Sequence, residues 1–183
     1  MMIEQLAQWM NPLLRTPIAR RTRRNHGLEH ATIHILSGRI RNLHMAGRSN
    51  QEGFILLGEA PTEMIESAAR DALRRMQNGE HSLAVHPNCG TNLVTTGFMA
   101  TLAAMIGFSG ASRRANTLDR FPAVTVLVMA AILLSRPLGT NLQKHITTDG
   151  NPADLEIISI TRDTVRTPFG GSMTIHRVKT RSS

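Results

Sequence analysis

Hydrophobic and polar positions along this chain change period several times, and each change predicts an element. Residues 1–14 place Ile3, Leu6, Trp9, Met10 and Leu13 three or four apart, the spacing of a short amphipathic helix, here ending near Asn11–Pro12. The same period returns from Asn25 to about Leu36, with Ser37–Gly38 as the expected stop. Residues 40–47 and 54–58 read as two short strands joined by the turn Arg48–Gly53. Ala60-Pro61-Thr62 then opens a second helix, striped by Ile65, Ala68, Ala69, Ala72, Leu73 and Met76 and closed by Asn78–Gly79. Ser82–Val85 reads as a further strand. Helix, two strands, helix, strand predicts a small α+β layer.

The pattern then loses its charges. From Ser82 to Ser112 there is no Asp, Glu, Lys or Arg. Leu93–Phe108 with its flanks approaches the roughly 20 residues that a hydrocarbon layer requires. Phe121–Leu134 is a second apolar run, extended past Arg136 to Gly139. Together they predict a transmembrane helical hairpin. A buried hairpin in a soluble protein is the competing reading, favoured by the threonines and the short second run. Gly97, Ala100, Ala103, Ala104 and Gly107 allow close helix contact, which leaves room for a homo-oligomer. Beyond the hairpin, Leu155–Ile160 and Met173–Val178 flank Pro168–Gly171 and predict a terminal β-hairpin, whose simplest home is the sheet of the first half. The expected fold class is α+β: a small sheet with two helices plus a two-helix transmembrane hairpin. Its expected segments are 1–24 (amphipathic and basic), 25–90 (α+β), 91–140 (hairpin) and 141–183 (joining the α+β domain).

Charge and composition narrow the partners. The formal net charge is +8, aromatic residues are 3% and tyrosine is absent, so the platforms for stacking single-stranded bases are missing and no specific nucleic acid is expected. Arg15, Arg20, Arg21, Arg23 and Arg24 precede the second helical pattern; they read either as a solvated helix start or as a cluster facing an anionic leaflet. Trp9 reads as an interfacial anchor or as part of a packed terminal helix. Glu4 and the lack of a basic start argue against a secretory signal. The expected setting is a lipid bilayer, multi-pass. The basic ends favour cytoplasmic termini, although Arg113, Arg114 and Arg120 in the loop oppose that orientation. Cys89 is the only cysteine, so no intramolecular disulfide forms.

The chemistry concentrates in Asn25–His34. His26, His30 and His34 recur every four residues with Glu29 beside them. On a helix, residues four apart lie on one face. His26 and His30 can therefore share one metal ion, and Glu29 can act as general base on a metal-bound water. His34, two turns from His26, is expected to support or pack rather than ligate. Without a metal, Glu29 is expected to pair with Arg21 or Arg24. The second cluster is His86-x-x-Cys89, in a turn where either residue can supply the missing ligand; the plainer reading makes Cys89 a small buried hydrophobe. Three ligands leave a position for water, and four close the site. Zinc or another divalent transition metal fits these donors. The reading is a membrane protein with a His/Cys metal site, extending to a zinc-dependent hydrolase. Its alternative is a non-enzymatic structural, metal-sensing or interaction protein. His44, His81, His145 and His176 are scattered and read as surface or core residues. The sequence names no substrate or protein partner.

NHGLEHATIHIL, GRSNQEGFILLGE and HPNCGTN followed by the apolar hairpin resemble a bacterial family known as a domain of unknown function, also common in cyanobacteria and related phyla. The resemblance spans about residues 20–150. It implies membrane residence and carries over no activity, cofactor or catalytic residue. The order His26-x-x-Glu29-His30 also resembles the inverse zincins. In those metallopeptidases the third ligand is a glutamate on a later helix, and only Glu63 and Glu66 stand on a following helix in this chain.

Overall fold

A computed structural model describes residues 2–109, 117–167 and 170–183. The chain forms two compact units: Met1–His86 with Lys144–Ser183, and Pro87–Gln143.

In the first unit, helices α1 (Met2–Trp9) and α2 (Asn11–Leu14) lead into α3 (Pro17–Arg39). Strands β1 (Ala46–Asn50) and β2 (Gly53–Leu57) follow, then helix α4 (Thr62–Gln77) and a single 3-10 turn, His81–Ala84. After the second unit the chain returns through a π-helical turn, Gln143–Thr147, into β3 (Glu156–Thr167) and β4 (Gly171–Arg181). The four strands form one antiparallel sheet in the order β1-β2-β4-β3. The terminal hairpin thus adds to the sheet of the first half, with Phe54 opposite Val178 and Val178 opposite Ile160.

Helix α3 lies at the centre. It touches β1, β2, α4 and the 3-10 turn, and every residue from Gly27 to Ile33 is buried. A helix buried all round is a core element rather than an amphipathic cover. Leu28 and Leu36 from α3 meet Phe54 and Leu56 from β2, Ile65 and Met76 from α4, and Val178 from β4. Pro17 starts α3, where a missing N–H leaves nothing unsatisfied.

Three local expectations are corrected. Helix α3 does not stop at Ser37–Gly38 but runs to Arg39, whose guanidinium reaches Asp71 of α4 at 2.8 Å. The reversal falls instead at Asn42, with φ 57°, a backbone region that asparagine tolerates better than most residues. The first strand is therefore Ala46–Asn50 rather than 40–47. Ser82–Val85 is not a strand: Leu83 and Ala84 are buried in the 3-10 turn, and four residues carry too little periodicity to tell the two apart. Of the arginine cluster, Arg20, Arg21, Arg23 and Arg24 lie on α3, where Arg24 pairs with Asp154 at 2.9 Å and Arg23 donates to the Thr148 carbonyl at 3.0 Å.

The second unit holds α5 (Gly90–Phe108) and α6 (Thr117–Leu142), which pack on each other. The Thr96 and Ser135 hydroxyls bond at 2.7 Å, and a Cβ at Gly107 would come 2.7 Å from Val124, so this glycine lets the helices approach closely. Both helices are long and apolar enough to cross a membrane. Only 11% and 17% of their apolar windows are buried, whereas a core helix of a soluble protein is mostly buried. Leu93, Val94, Phe98, Phe121, Val126 and Leu133 are exposed. The polar loop with Arg113 and Arg114, and Pro168–Phe169 of the terminal turn, lie outside the described residues.

Candidate metal centre

The centre of α3 is set from both sides by buried polar contacts. Asn25 is fully buried; its Nδ2 donates to the Asn50 carbonyl at 2.8 Å, and its Oδ1 accepts from the Thr180 hydroxyl at 2.7 Å. The helix is thereby tied to β1 and β4 one residue before His26. Gly27 allows the return segment to approach, since a Cβ there would run into the Asp149 carbonyl and come 3.2 Å from Ala84.

His26 and His30 stack edge to face, their ring centroids 4.3 Å apart and their planes at 62°. Nδ1 of His26 lies 3.0 Å from the Thr147 carbonyl, and Nδ1 of His30 lies 2.8 Å from the Ala84 carbonyl. A carbonyl only accepts, so each Nδ1 carries the hydrogen. In the neutral rings the lone pair therefore sits on Nε2. Orientation by a backbone carbonyl is the usual outer arrangement around metal-ligating histidines.

His86 joins this group, with its ring centroid 6.0 Å from that of His30. Two imidazoles ligating one tetrahedral zinc at about 2.0–2.1 Å bring their centroids to about 5 Å, a value the two observed separations bracket. Burial, helped by the nearby His30 and His34, holds His86 below the usual histidine range, which favours the neutral, ligating form. His34 is exposed rather than packed.

Glu29 is 4% exposed. Its carboxyl accepts a short hydrogen bond from Ser49 on β1, and a Cβ at Gly47 would collide with it. Burial raises its pKa above the ordinary carboxylate value, against the opposing pull of the Ser49 hydroxyl and of His26. Of the two arginines named as its partners in the absence of a metal, Arg24 pairs with Asp154 instead.

Cys89 belongs to the other unit. It is buried and caps α5, its Sγ accepting from the Thr91 backbone N–H at 3.4 Å. Asn92 reaches back to the Pro87 carbonyl at 2.7 Å, so the turn before α5 is held by its own side chains. Among the scattered histidines, His44 and His81 are exposed. His176 is fully buried beside the Thr62 hydroxyl at 3.3 Å.

The groups that sequence reasoning missed are Asn25, Gly47, Ser49 and the carbonyls of Ala84 and Thr147. Carbonyls leave no mark in a sequence. Ser49 and Gly47 sat in a stretch read as strand end and turn, and only their register opposite Phe54 and Leu56 places them over the helix.

Residues 21–160 match a family model described as a domain of unknown function, DUF6391. An uncharacterized protein of Picosynechococcus sp. is 28% identical over 151 residues, covering 78% of this chain and 72% of the relative. No solved structure matches. The family match spans every candidate ligand and both apolar helices, and the chain belongs to the DUF6391 family.

Proposed function

We propose that this chain is a membrane protein that binds a divalent transition metal, zinc by its imidazole donors, through a site built on His26 and His30 of α3. The observation that carries the reading is the pair of carbonyl contacts that put the lone pairs of His26 and His30 on Nε2. Imidazole donors suit zinc.

With a coordination position left open, such a metal would hold a water and lower its pKa. Glu29, next in sequence to His30 and within the electrostatic reach of His26, would then be the general base of a hydrolytic reaction. The 6.0 Å approach of His86 to His30 favours a second reading, in which His86 is a further ligand, the site is closed and the metal is structural. The apolar, exposed faces of α5 and α6 support insertion as a hairpin, with the chain on both sides of it at one membrane face. The basic N-terminal segment supports the cytoplasmic face.

Elemental analysis of the purified protein tests the proposal. One metal per chain in the wild type and none in His30→Ala is the expected result; no stoichiometric metal in the wild type overturns it. His86→Ala separates the two readings, since metal is retained if His86 is not a ligand and lost if it closes the site. A reporter fused at Ser112 and active only on the non-cytoplasmic side supports the orientation.

A further inference from the structure

The start of the first unit carries an apolar face that its own fold does not cover. On α1 and α2, Leu14 is buried and Ile3, Ala7 and Met10 are half-buried, so this side packs inward. On the neighbouring flank Leu6 is 42%, Leu13 61% and Trp9 81% exposed, and Ile18 at the start of α3 is 65% exposed. Leu6, Trp9 and Leu13 follow at three and four residues, so they share one stripe. The backbone bonds Met10 N–H to the Leu6 carbonyl and Leu14 N–H to the Met10 carbonyl carry helical spacing across the junction. Glu4, Gln5 and Gln8 are exposed on the remaining side of α1.

We infer that this face lies in the plane of an anionic lipid surface, with Trp9 at headgroup depth. The occupant follows from charge and shape together. Arg15 is exposed beside the stripe, while Arg23 and Arg24 are held inward by the Thr148 carbonyl and Asp154. The protein as a whole carries +8. A helical stripe of large apolar side chains, an amphipathic tryptophan and an adjacent cation are the parts of an interfacial helix, and Trp is enriched where acyl chains meet water. Anionic lipid supplies the complementary charge. The inference rests on the first unit alone and goes beyond the metal centre.

Trp9 is the only tryptophan and there is no tyrosine, so the native fluorescence of the full chain reads this one position. The protein is reconstituted into phosphatidylcholine vesicles with and without phosphatidylserine. The expected result with phosphatidylserine is blue-shifted emission, acrylamide quenching several-fold weaker than for free indole, and stronger quenching by lipids brominated near the headgroup than near the chain end. Removing phosphatidylserine, or Arg15→Glu, shifts emission to the red. Leu6→Ser with Leu13→Ser, both exposed, does the same with unchanged far-ultraviolet circular dichroism; were that variant to misfold, the wild-type lipid comparison alone would decide. Emission and acrylamide access that are the same with and without lipid overturn the inference. Shielding from acrylamide without quenching by brominated lipid also overturns it, because a protein or a second copy would then cover the face. Metal content measured on the same sample reports on the metal centre separately.

Discussion

Replacing His30 by alanine separates what the imidazole does as a packed group from what it does as a ligand. His30 is 3% exposed, and its Nδ1 donates to the Ala84 carbonyl at 2.8 Å. Alanine removes that hydrogen bond and leaves a buried carbonyl without it, a cost of about 1–3 kcal/mol with or without metal. A metal that binds only the folded protein adds RT ln(1 + [M]/Kd), about 2.7 kcal/mol at a hundredfold excess over Kd. For a chain of this size each kcal/mol moves Tm by about 2–4 °C. Chelation should then lower the wild-type Tm by roughly 5–11 °C, and His30→Ala should start low and not respond to the chelator. The assay is thermal unfolding followed by circular dichroism in detergent, with and without chelator, on both proteins. A wild type indifferent to chelator, or a variant that responds as much as the wild type, refutes the reasoning. The first outcome says that no metal is held, the second that His30 is not a ligand.

Other perturbations test the supports. Asn25→Ala breaks both bonds from α3 to the sheet and should destabilise by about 2–4 kcal/mol; Asn25→Asp, which keeps the size but not the donor to Asn50, should lose part of that, and a wild-type Tm in either variant contradicts the tie. Gly47→Ala forces a methyl group into the Glu29 carboxyl and should cost about 1–3 kcal/mol while leaving metal stoichiometry unchanged; an unaltered Tm means that β1 does not press on Glu29. Asp154 is held at about 2, below its usual 3.8, first by the Ser183 backbone N–H and also by Arg24. A folded-state pKa below the unfolded one gives stability that is present above 3.8 and is lost as the pH falls toward 2. Asp154→Asn should flatten the acid dependence of Tm in that window, and an unchanged slope removes Asp154 from the account.

The outline of the fold was legible because it rests on long apolar patterns. The α4 stripe Ile65–Ala68–Ala72–Met76 and the two charge-free runs appear as the elements their spacing predicts. Short stretches were ambiguous: four residues at 82–85 could not show whether they formed a strand or a 3-10 turn, and Gly38 could not show that Arg39 would find Asp71 and prolong the helix. At the site, histidine spacing revealed that His26 and His30 share a face, because helix geometry alone dictates it. His34, expected to support the site or to pack, is exposed rather than packed, since a helix buried on several sides in its middle still ends in water. Glu29, expected beside arginines in the absence of a metal, has Ser49 and Gly47 brought over it by tertiary register instead.

The two carbonyls that set the histidine tautomers come from informative places in the chain. Ala84 ends the 3-10 turn that leads toward α5, and Thr147 ends the π-helical turn that leads away from α6. Each connector to the apolar hairpin therefore fixes one of the two histidines, Ala84 holding His30 and Thr147 holding His26. A shift of either connector would release an Nδ1–H, and a freed imidazole loses the orientation on which ligation depends. Gly27 and Arg23 reinforce the coupling: the Asp149 N–H bonds to the Arg23 carbonyl at 3.0 Å, and the same arginine's guanidinium grips the Thr148 carbonyl. The arginines that read as a membrane-facing cluster thus include one that clamps the returning chain to the histidine helix. If these histidines hold a metal, its affinity and the seating of the hairpin connectors are linked quantities. Arg23→Met keeps much of the side chain's bulk and removes the clamp, so it should weaken metal binding without touching a ligand. Equal metal affinity in Arg23→Met and wild type, measured by competition with a chelator of known strength, would show that the connectors do not set the site.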